Sequence, residues 1–473
     1  MTNLTTSLRG LGLALSASLL AACTTLAPDY QRPASPVPAT WTGEAPASAS
    51  GAPQPGEQPW REIFLDPRLR QVIDLALANN RDLRVAALNI ETARARYRIQ
   101  RADLLPSVDG GASSTLRRVP GDLSGSGEPV ISSQHAVSVG ITAWELDLFG
   151  RVRSLKDQAL QTYFATEEAG RAAQVSLVAE VANAWLSLAA DRSLLALAQR
   201  TLAAQQQTLE ITQRSFELGA TSQLEVSQLQ TTVARARADV ASQTAQVAKD
   251  RNALELLAGA PITEALLPAS LDDTGSTQLA GVPAGLSSEL LTRRPDVMQA
   301  ERSLQAANAN IGAARAAFFP TISLTASAGT SSASLDRLFE AGQRSWSFVP
   351  SISLPIFNAG ALAASLDVAE LQRDIGVATY EQAIQSAFRE VADSLADRAT
   401  IAERVAAGES LVAAARQGFE LSEARTRNGV DSYLTQLDAQ RTLYSAEQEL
   451  IATRLAEASS RVTLYKVLGG GWQ

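Results

Sequence analysis

Hydrophobic positions along this chain follow two different periods. From Gly150 to Gly219 there is no proline and a single interior glycine, Gly170, and apolar residues recur every seventh position at Val181, Leu188, Leu195, Leu202, Leu209 and Phe216. Past Gly219 the stripe resumes at Val226, Val233, Val240, Val247 and Leu254. A sustained heptad predicts helices that pair along one seam with a left-handed supercoil. Seventy helical residues span ~100 Å at ~1.5 Å per residue, more than a globular domain accommodates, so such a helix belongs to a rod or tube.

Elsewhere the period is two. Ile322, Leu324, Ala326 and Ala328 alternate with Thr321, Ser323, Thr325 and Ser327. Trp346, Phe348, Ile352 and Leu354 alternate with Ser345, Ser347, Ser351 and Ser353. Val137, Val139, Ile141 and Ala143 alternate with Ala136, Ser138, Gly140 and Thr142. These stretches predict strands with one apolar and one Ser/Thr/Gly face. A membrane β-barrel needs that arrangement. A soluble sheet packed on helices shows it too, so alternation alone leaves both open. The intervening segments 117–133 and 331–344 read as loops.

The chain also repeats itself. RADLLPSVDGGAS (101–113) matches RAAFFPTISLTAS (315–327), and GATSQLEVSQLQ (219–230) matches GVDSYLTQLDAQ (429–440). VANAW (181–185) matches VADSL (391–395). The spacing near 210 residues is too long for a solenoid and indicates duplication of a half-molecule. Two copies, 67–260 and 286–470, are joined by a Pro/Gly-bearing linker, 261–285. Each copy predicts a first helix, 67–104 in the first, stopped at a proline (Pro106, Pro320), then two strands and a long helical hairpin. The second hairpin repeats the heptad more loosely, from Gly360 to Gly429. Four strands cannot close, and open strand edges are not tolerated in lipid. If these are membrane strands, several chains share one barrel, and three would supply twelve.

Composition narrows the setting. The net charge of −8 and the scarcity of Lys, at 156, 249 and 466 only, argue against a nucleic-acid partner. After position 23 no run of 18 or more apolar residues occurs, which predicts no transmembrane helix. Residues 11–22 form a short apolar run behind Arg9, too short to span a bilayer and suited to a signal peptide, 1–22. Cys23, the only cysteine, ends that run within Leu20-Ala21-Ala22-Cys23, which resembles a bacterial lipobox. The resemblance implies cleavage before Cys23 and covalent lipid on it, and Thr24 resembles an outer-membrane sorting signal. Several acyl chains give stable anchoring. The Pro-, Ala- and Ser-rich extension 23–66 cannot bury a core of its own and reads as a segment lying on something else or as a tether. No catalytic constellation stands out: His135 is the only histidine, and Gly469-Gly470-Gly471 lacks the strand and the Lys-Ser/Thr of a phosphate loop. We expect neither enzyme activity nor a cofactor beyond the lipid.

WELDLFGRVR (144–153), RRPDVMQAERSLQAANANIGAARAAFFP (293–320), SLPIFNAG (353–360) and NGVDSYLTQLDAQRTLYSAEQEL (428–450) resemble TolC-type outer-membrane efflux channels, in particular their lipidated NodT/OprM-like subgroup. The resemblance spans about 60–470. It implies a mixed α/β membrane protein: a homotrimer whose four strands per chain make a twelve-stranded outer-membrane barrel, continuous with a periplasmic α-barrel of long coiled-coil helices. It further implies a periplasmic adaptor and an inner-membrane pump of the resistance-nodulation-division (RND) class, with small molecules leaving through a passive duct. A type I protein-secretion duct, or a non-channel structural lipoprotein of the periplasm, are the alternatives.

The same resemblance maps a channel constriction to Leu434, Asp438 and Arg441, which share a helix face at i, i+4 and i+7. Three-fold symmetry would turn them into an apolar collar and an acidic ring, with Arg441 pairing to a nearby acid. Thr435 stands where some relatives carry a second acidic residue, so one acidic ring is expected. The hairpin turns at Gly219 and Gly429 would contact the adaptor, each glycine supplying the positive φ that the turn needs.

Overall fold

The computed structural model describes residues 25–41, 59–273 and 288–471. The expected signal peptide, Cys23 and Thr24 lie outside the described residues, as does the second half of the linker. The α-helices of more than one turn are α1 (Pro67–Asn79), α2 (Arg81–Ala102), α3 (Arg151–Glu217), α4 (Gln223–Ala258), α5 (Pro295–Ala316), α6 (Ala361–Arg427) and α7 (Tyr433–Val467), with short helical turns at Trp60–Ile63 and Ser288–Arg293 among those that flank them. The strands are β1 (Asp109–Val119), β2 (Val130–Glu145), β3 (Thr321–Ser332) and β4 (Arg344–Ser353).

Two compact units make up the chain, and each draws segments from both sequence copies. Among the described residues, the first comprises 25–34, 89–167 and 299–381, and the second 35–41, 59–88, 168–273, 288–298 and 382–471. A protein duplicated in sequence thus folds with its copies interleaved: their strands meet at the β2–β3 ladder, and Val462 and Tyr465 of α7 join the core at the root of the first hairpin.

In the first unit the strands form one antiparallel sheet in the order β1-β2-β3-β4. They run further than alternation alone predicts, so the expected loop 117–133 shrinks to 120–129 and 331–344 to 333–343. The register also corrects the alternation in β2. The β2–β3 ladder shifts between Ile141 and Trp144, with Thr142 and Ala143 opposing Thr325. Ala143 takes φ 50° and donates its N–H to Thr325 Oγ1 at 3.1 Å. This bulge inserts one residue, so Trp144, not Ala143, continues the apolar face and Glu145 falls on the polar one.

Also in this unit, residues 26–32 lie along α5 in the opposite direction. Asn308 Nδ2 donates to Pro28 O at 2.8 Å, and Arg32 grips the buried Glu301 with two hydrogen bonds of 2.8 and 2.9 Å. Tyr30 donates to the same carboxylate at 3.1 Å. Gly312 permits the close approach: a Cβ there would stand 2.7 Å from Ala27 N and 2.5 Å from Ser154 Oγ. Composition left the N-terminal stretch as either a segment lying on something else or a tether; residues 26–32 take the first form, on α5.

The second unit holds α4 and α7, α3 from 168 and α6 from 382 onward, and the main apolar core. Val178, Val181, Trp185, Leu188 and Leu254 pack against Leu69, Val72 and Ile73 of α1. Trp185, 1 % exposed, donates from Nε1 to Leu266 O at 3.1 Å. One stretch of α3 is apolar and long enough to suit a bilayer, but more than half of it is buried within the chain, so its hydrophobicity belongs to packing. The helix expected over 67–104 is two helices. Asn80 breaks it, capping α2 through Oδ1 to Leu83 N at 2.9 Å and reaching Leu257 O at 2.9 Å with Nδ2. Arg294, just before α5, is buried. It clamps Asp296 and Glu390, each at 2.7 Å, and Val467 O at 2.7 Å.

Candidate functional site

The sheet presents two chemically distinct faces. Paired residues of an antiparallel ladder share a face. Val139 pairs with Ala328 and Ala328 with Trp346; Ile141 pairs with Ala326 and Ala326 with Phe348; Ile322 pairs with Ile352. These rows make one apolar face, on which Trp346 is 80 %, Phe348 60 % and Ile352 70 % exposed. Opposite it lies a hydroxyl face, where Ser323 and Ser351 share a hydrogen bond of 2.7 Å and Ser327 and Ser347 one of 2.8 Å. Among the described residues, the outer edges of β1 and β4 carry no strand partner in the chain.

The hairpin tips form the second set of surfaces, within the second unit. Gly219 has φ 74° and Gly429 φ 71°. Gly219 N donates to Phe216 O and Ala220 N to Ser215 O; Gly429 N donates to Thr426 O and Val430 N to Arg425 O. Both turns are therefore Schellman closures, in which the left-handed glycine frees two amides to satisfy the helix's last carbonyls. The tips then diverge. At the first, Ser222 Oγ accepts from Glu225 N at 3.3 Å, and Glu225 in turn accepts from Thr221 Oγ1. At the second, Ser432 makes no such cap, and Arg425 pairs with Asp431 at 2.6 and 2.9 Å. The Arg425 guanidinium holds the Asp431 carboxyl below its usual range.

Leu434, Asp438 and Arg441 lie exposed along one side of α7, while Leu437 turns inward and is 3 % exposed. The structure thus brings the three onto one open face in the chain. Among the described residues neither Asp438 nor Arg441 makes an ion pair within the chain; the pair that spans the turn is Arg425–Asp431, which no spacing in the sequence singles out. Arg441 lines a groove of about 430 Å³ between α3, α4 and α7, together with Arg235, Asp239 and Tyr444. Burial pushes the neighbouring Tyr433 phenol up to about 12, against the pull of Arg441. Deeper in the hairpin α3–α4, burial and a hydrogen bond with Asp250 push the Asp191 carboxyl up to about 7. The Glu301 and Arg294 clamps were likewise not legible from local pattern, although both residues sit within the RRPDVMQAERS run; Asp296 apart, their partners lie 96 to 271 residues away.

Comparison with known proteins places this geometry. The family described as "Outer membrane efflux protein" matches residues 72–260 and 286–470. A toluene efflux pump outer membrane protein of Pseudomonas putida, TtgC, is 51 % identical over 466 residues, covering 98 % of this chain and 95 % of the relative. An antibiotic efflux pump outer membrane protein of Pseudomonas putida, ArpC, matches with the same identity and coverage. The crystal structure of the open state of the MtrE outer membrane channel of Neisseria gonorrhoeae superposes with a TM-score of 0.84 at 39 % identity, over 95 % of this chain and 99 % of that one. Two matched segments that take in both sequence copies, and relatives similar from end to end, establish that this chain belongs to the outer membrane efflux protein family.

Proposed function

We propose that the protein is the outer-membrane exit duct of a tripartite efflux pump, acting as a homotrimer. One observation carries this: a four-stranded sheet with an exposed apolar face, a hydroxyl face and two unpaired edges. An apolar face at 80 % exposure on Trp346 is stable only against lipid or another protein. Unpaired edges in lipid are not tolerated, and four strands cannot close on themselves. Three chains closing edge to edge give twelve strands, an outside facing hydrocarbon and a lumen lined with Ser, Thr and Gly. The 67-residue helices α3 and α6, each ~100 Å long, supply the walls of a periplasmic tunnel. The duct performs no chemistry; it offers an aqueous exit, and its partners are a periplasmic adaptor at the tip turns around Gly219 and Gly429 and an inner-membrane RND pump that drives transport. The names of the two relatives support hydrophobic and amphiphilic small molecules as cargo.

In this reading Leu434, Asp438 and Arg441 ring the periplasmic end of the lumen. An apolar collar of Leu434 gates by dewetting, and a ring of Asp438 favours cations. Cys23 carries the lipid and becomes the mature N-terminus in the outer membrane; the strap at 26–32 ties the chain that follows it to α5. The duct reading is tested in planar bilayers. The purified protein conducts, migrates as a heat-sensitive trimer, and gains single-channel conductance of roughly severalfold on joint Leu434→Ala and Asp438→Ala substitution. Absence of conductance refutes the duct; unchanged conductance in the variant refutes the constriction.

A further inference from the structure

The duplication leaves one joint of the molecule used once and offered a second time. Within the chain, the first copy meets the second where β2 pairs with β3. Trp144 stands opposite Leu324 and Glu145 opposite Ser323. Just below, Leu146 N donates to Ile322 O at 2.8 Å, and Phe149 stacks on Phe319 with centroids 4.7 Å apart and planes 20° apart. Both halves of this joint recur. Leu354-Pro355-Ile356-Phe357 repeats Leu146-Asp147-Leu148-Phe149, and Leu105-Pro106-Ser107-Val108 repeats Phe319-Pro320-Thr321-Ile322. The recurring halves lie beside the two free sheet edges, and they are bare: Ile356 is 93 %, Phe357 88 %, Leu105 71 % and Val108 65 % exposed. Such apolar surface beside an unpaired strand edge marks an interface.

Resting on the trimeric reading above, we infer that the same joint is remade between chains, in a defined register: β4 of one copy pairs antiparallel with β1 of the next, Ser353 opposite Asp109 and Ile352 opposite Gly110, with Phe357 seated on Leu105. Transferring the pairs Glu145–Ser323 and Trp144–Leu324 through the repeat gives this register directly. Unlike β2, β4 runs against β3 without a shift, so the ladder continues unbroken. Pro350 then faces Ala112, Phe348 faces Ser114 and Trp346 faces Leu116, while Ser351, Ser347 and Ser345 face Gly111, Thr115 and Arg117. The faces agree: residues sharing the face of Trp346 and Ile352 meet residues sharing the face of Leu116 and Gly110. A slip by one residue would turn the Trp346 row to the lumen, so the competing registers are those slipped by two. In the inferred register the large residues Ile352, Pro350 and Phe348 meet small ones. The ladder ends at Arg344 and Arg118, whose like charges oppose its extension.

Paired cysteines in the full-length protein test the register. Directly opposed residues hold Cβ atoms ~4.5–5.5 Å apart, close enough for a disulfide, whereas a two-residue slip separates them beyond reach. In outer membranes oxidised with copper–phenanthroline, Ser347→Cys with Thr115→Cys should link chains into dimer and trimer bands. The yield should be at least ~5-fold that of Ser347→Cys with Ser113→Cys or with Arg117→Cys. Ser353→Cys with Asp109→Cys provides an independent pair at the other end of the ladder, and single-cysteine variants control for Cys23. If a slipped pair links best, or no pair links in a preparation that migrates as a heat-sensitive trimer, the register is overturned and the trimer stands. If the unsubstituted protein shows no trimer, the trimeric reading itself fails and the register with it.

Discussion

The two helical hairpins descend from one ancestor segment and have been built to different tightness. In the first, the heptad seam is apolar throughout, and its root is buried: Val181, Leu188 and Leu254 are each 0 % exposed. In the second, the positions equivalent to Leu188, Phe216, Val226 and Val247 hold Arg398, Thr426, Gln436 and Glu457. Trp185, which fills the root of the first hairpin, is matched by the half-buried Leu395. The tips follow suit. The first is closed by a cap within its own turn, Ser222 to Glu225, and the second by an exposed ion pair, Arg425 to Asp431. Apolar seams are hard to open, whereas exposed charge pairs contribute little and respond to solvent. The hairpin that carries Leu434, Asp438 and Arg441 is thus the one whose packing resists movement least.

That contrast can be broken or sharpened by substitution. The largest effect is expected at the root: Trp185→Ala should cost ~3–5 kcal/mol, and Leu395→Ala ~1 kcal/mol, in thermal unfolding of the detergent-solubilised protein. Equal losses would show that the two hairpins are equally dependent on their roots. At the turns the copies should agree, since Gly219 and Gly429 share a positive φ. Alanine at either should cost ~1–2 kcal/mol by forcing a Cβ into left-handed backbone, and a difference beyond that span would mean the turns are not equivalent. The caps should separate them again. Ser222→Ala removes a hydrogen bond to Glu225 N and should cost ~1 kcal/mol, whereas Ser432→Ala should be nearly neutral.

The smallest effect concerns pH. Arg425 lowers the Asp431 carboxyl, so the stabilisation is present above the unfolded-state value of ~3.9 and is lost as pH falls through the lower folded value. A spin label at position 428 should gain mobility only in that acid window, and at neutral pH in an Asp431→Asn variant. A label equally mobile at pH 7 with and without the carboxylate would remove the ion pair from the account.

Much of this was visible in the residues. Heptads located α3 and α4 to within a few residues, because an apolar seam recurring every seventh position over so long a span fits paired helices and no strand or loop. Alternation found β2, β3 and β4, and the repeat implied β1, but alternation misjudged β2 beyond Ile141, since a bulge depends on how a strand meets its neighbour, at Thr325, 182 residues away. The break at Asn80 was missed for a similar reason: its side chain is held by Leu257 O, contributed by another helix. At the candidate constriction, helical spacing put Leu434, Asp438 and Arg441 on one face, yet the ion pair that spans that turn lay elsewhere. Arg425 and Asp431 flank the turn, and only the folded turn brings them to 2.6 Å.

The sequence alone determined the duplication, the period of each element, the turn glycines and the chemistry of the two sheet faces, since all of these are properties of neighbours along the chain. Tertiary structure decided how the copies interleave, where the bulge falls, and which surfaces are left bare. Phe357 and Leu105 repeat Phe149 and Phe319 in the sequence, yet they lie exposed, because the one joint available within a single chain is already taken by Phe149 and Phe319.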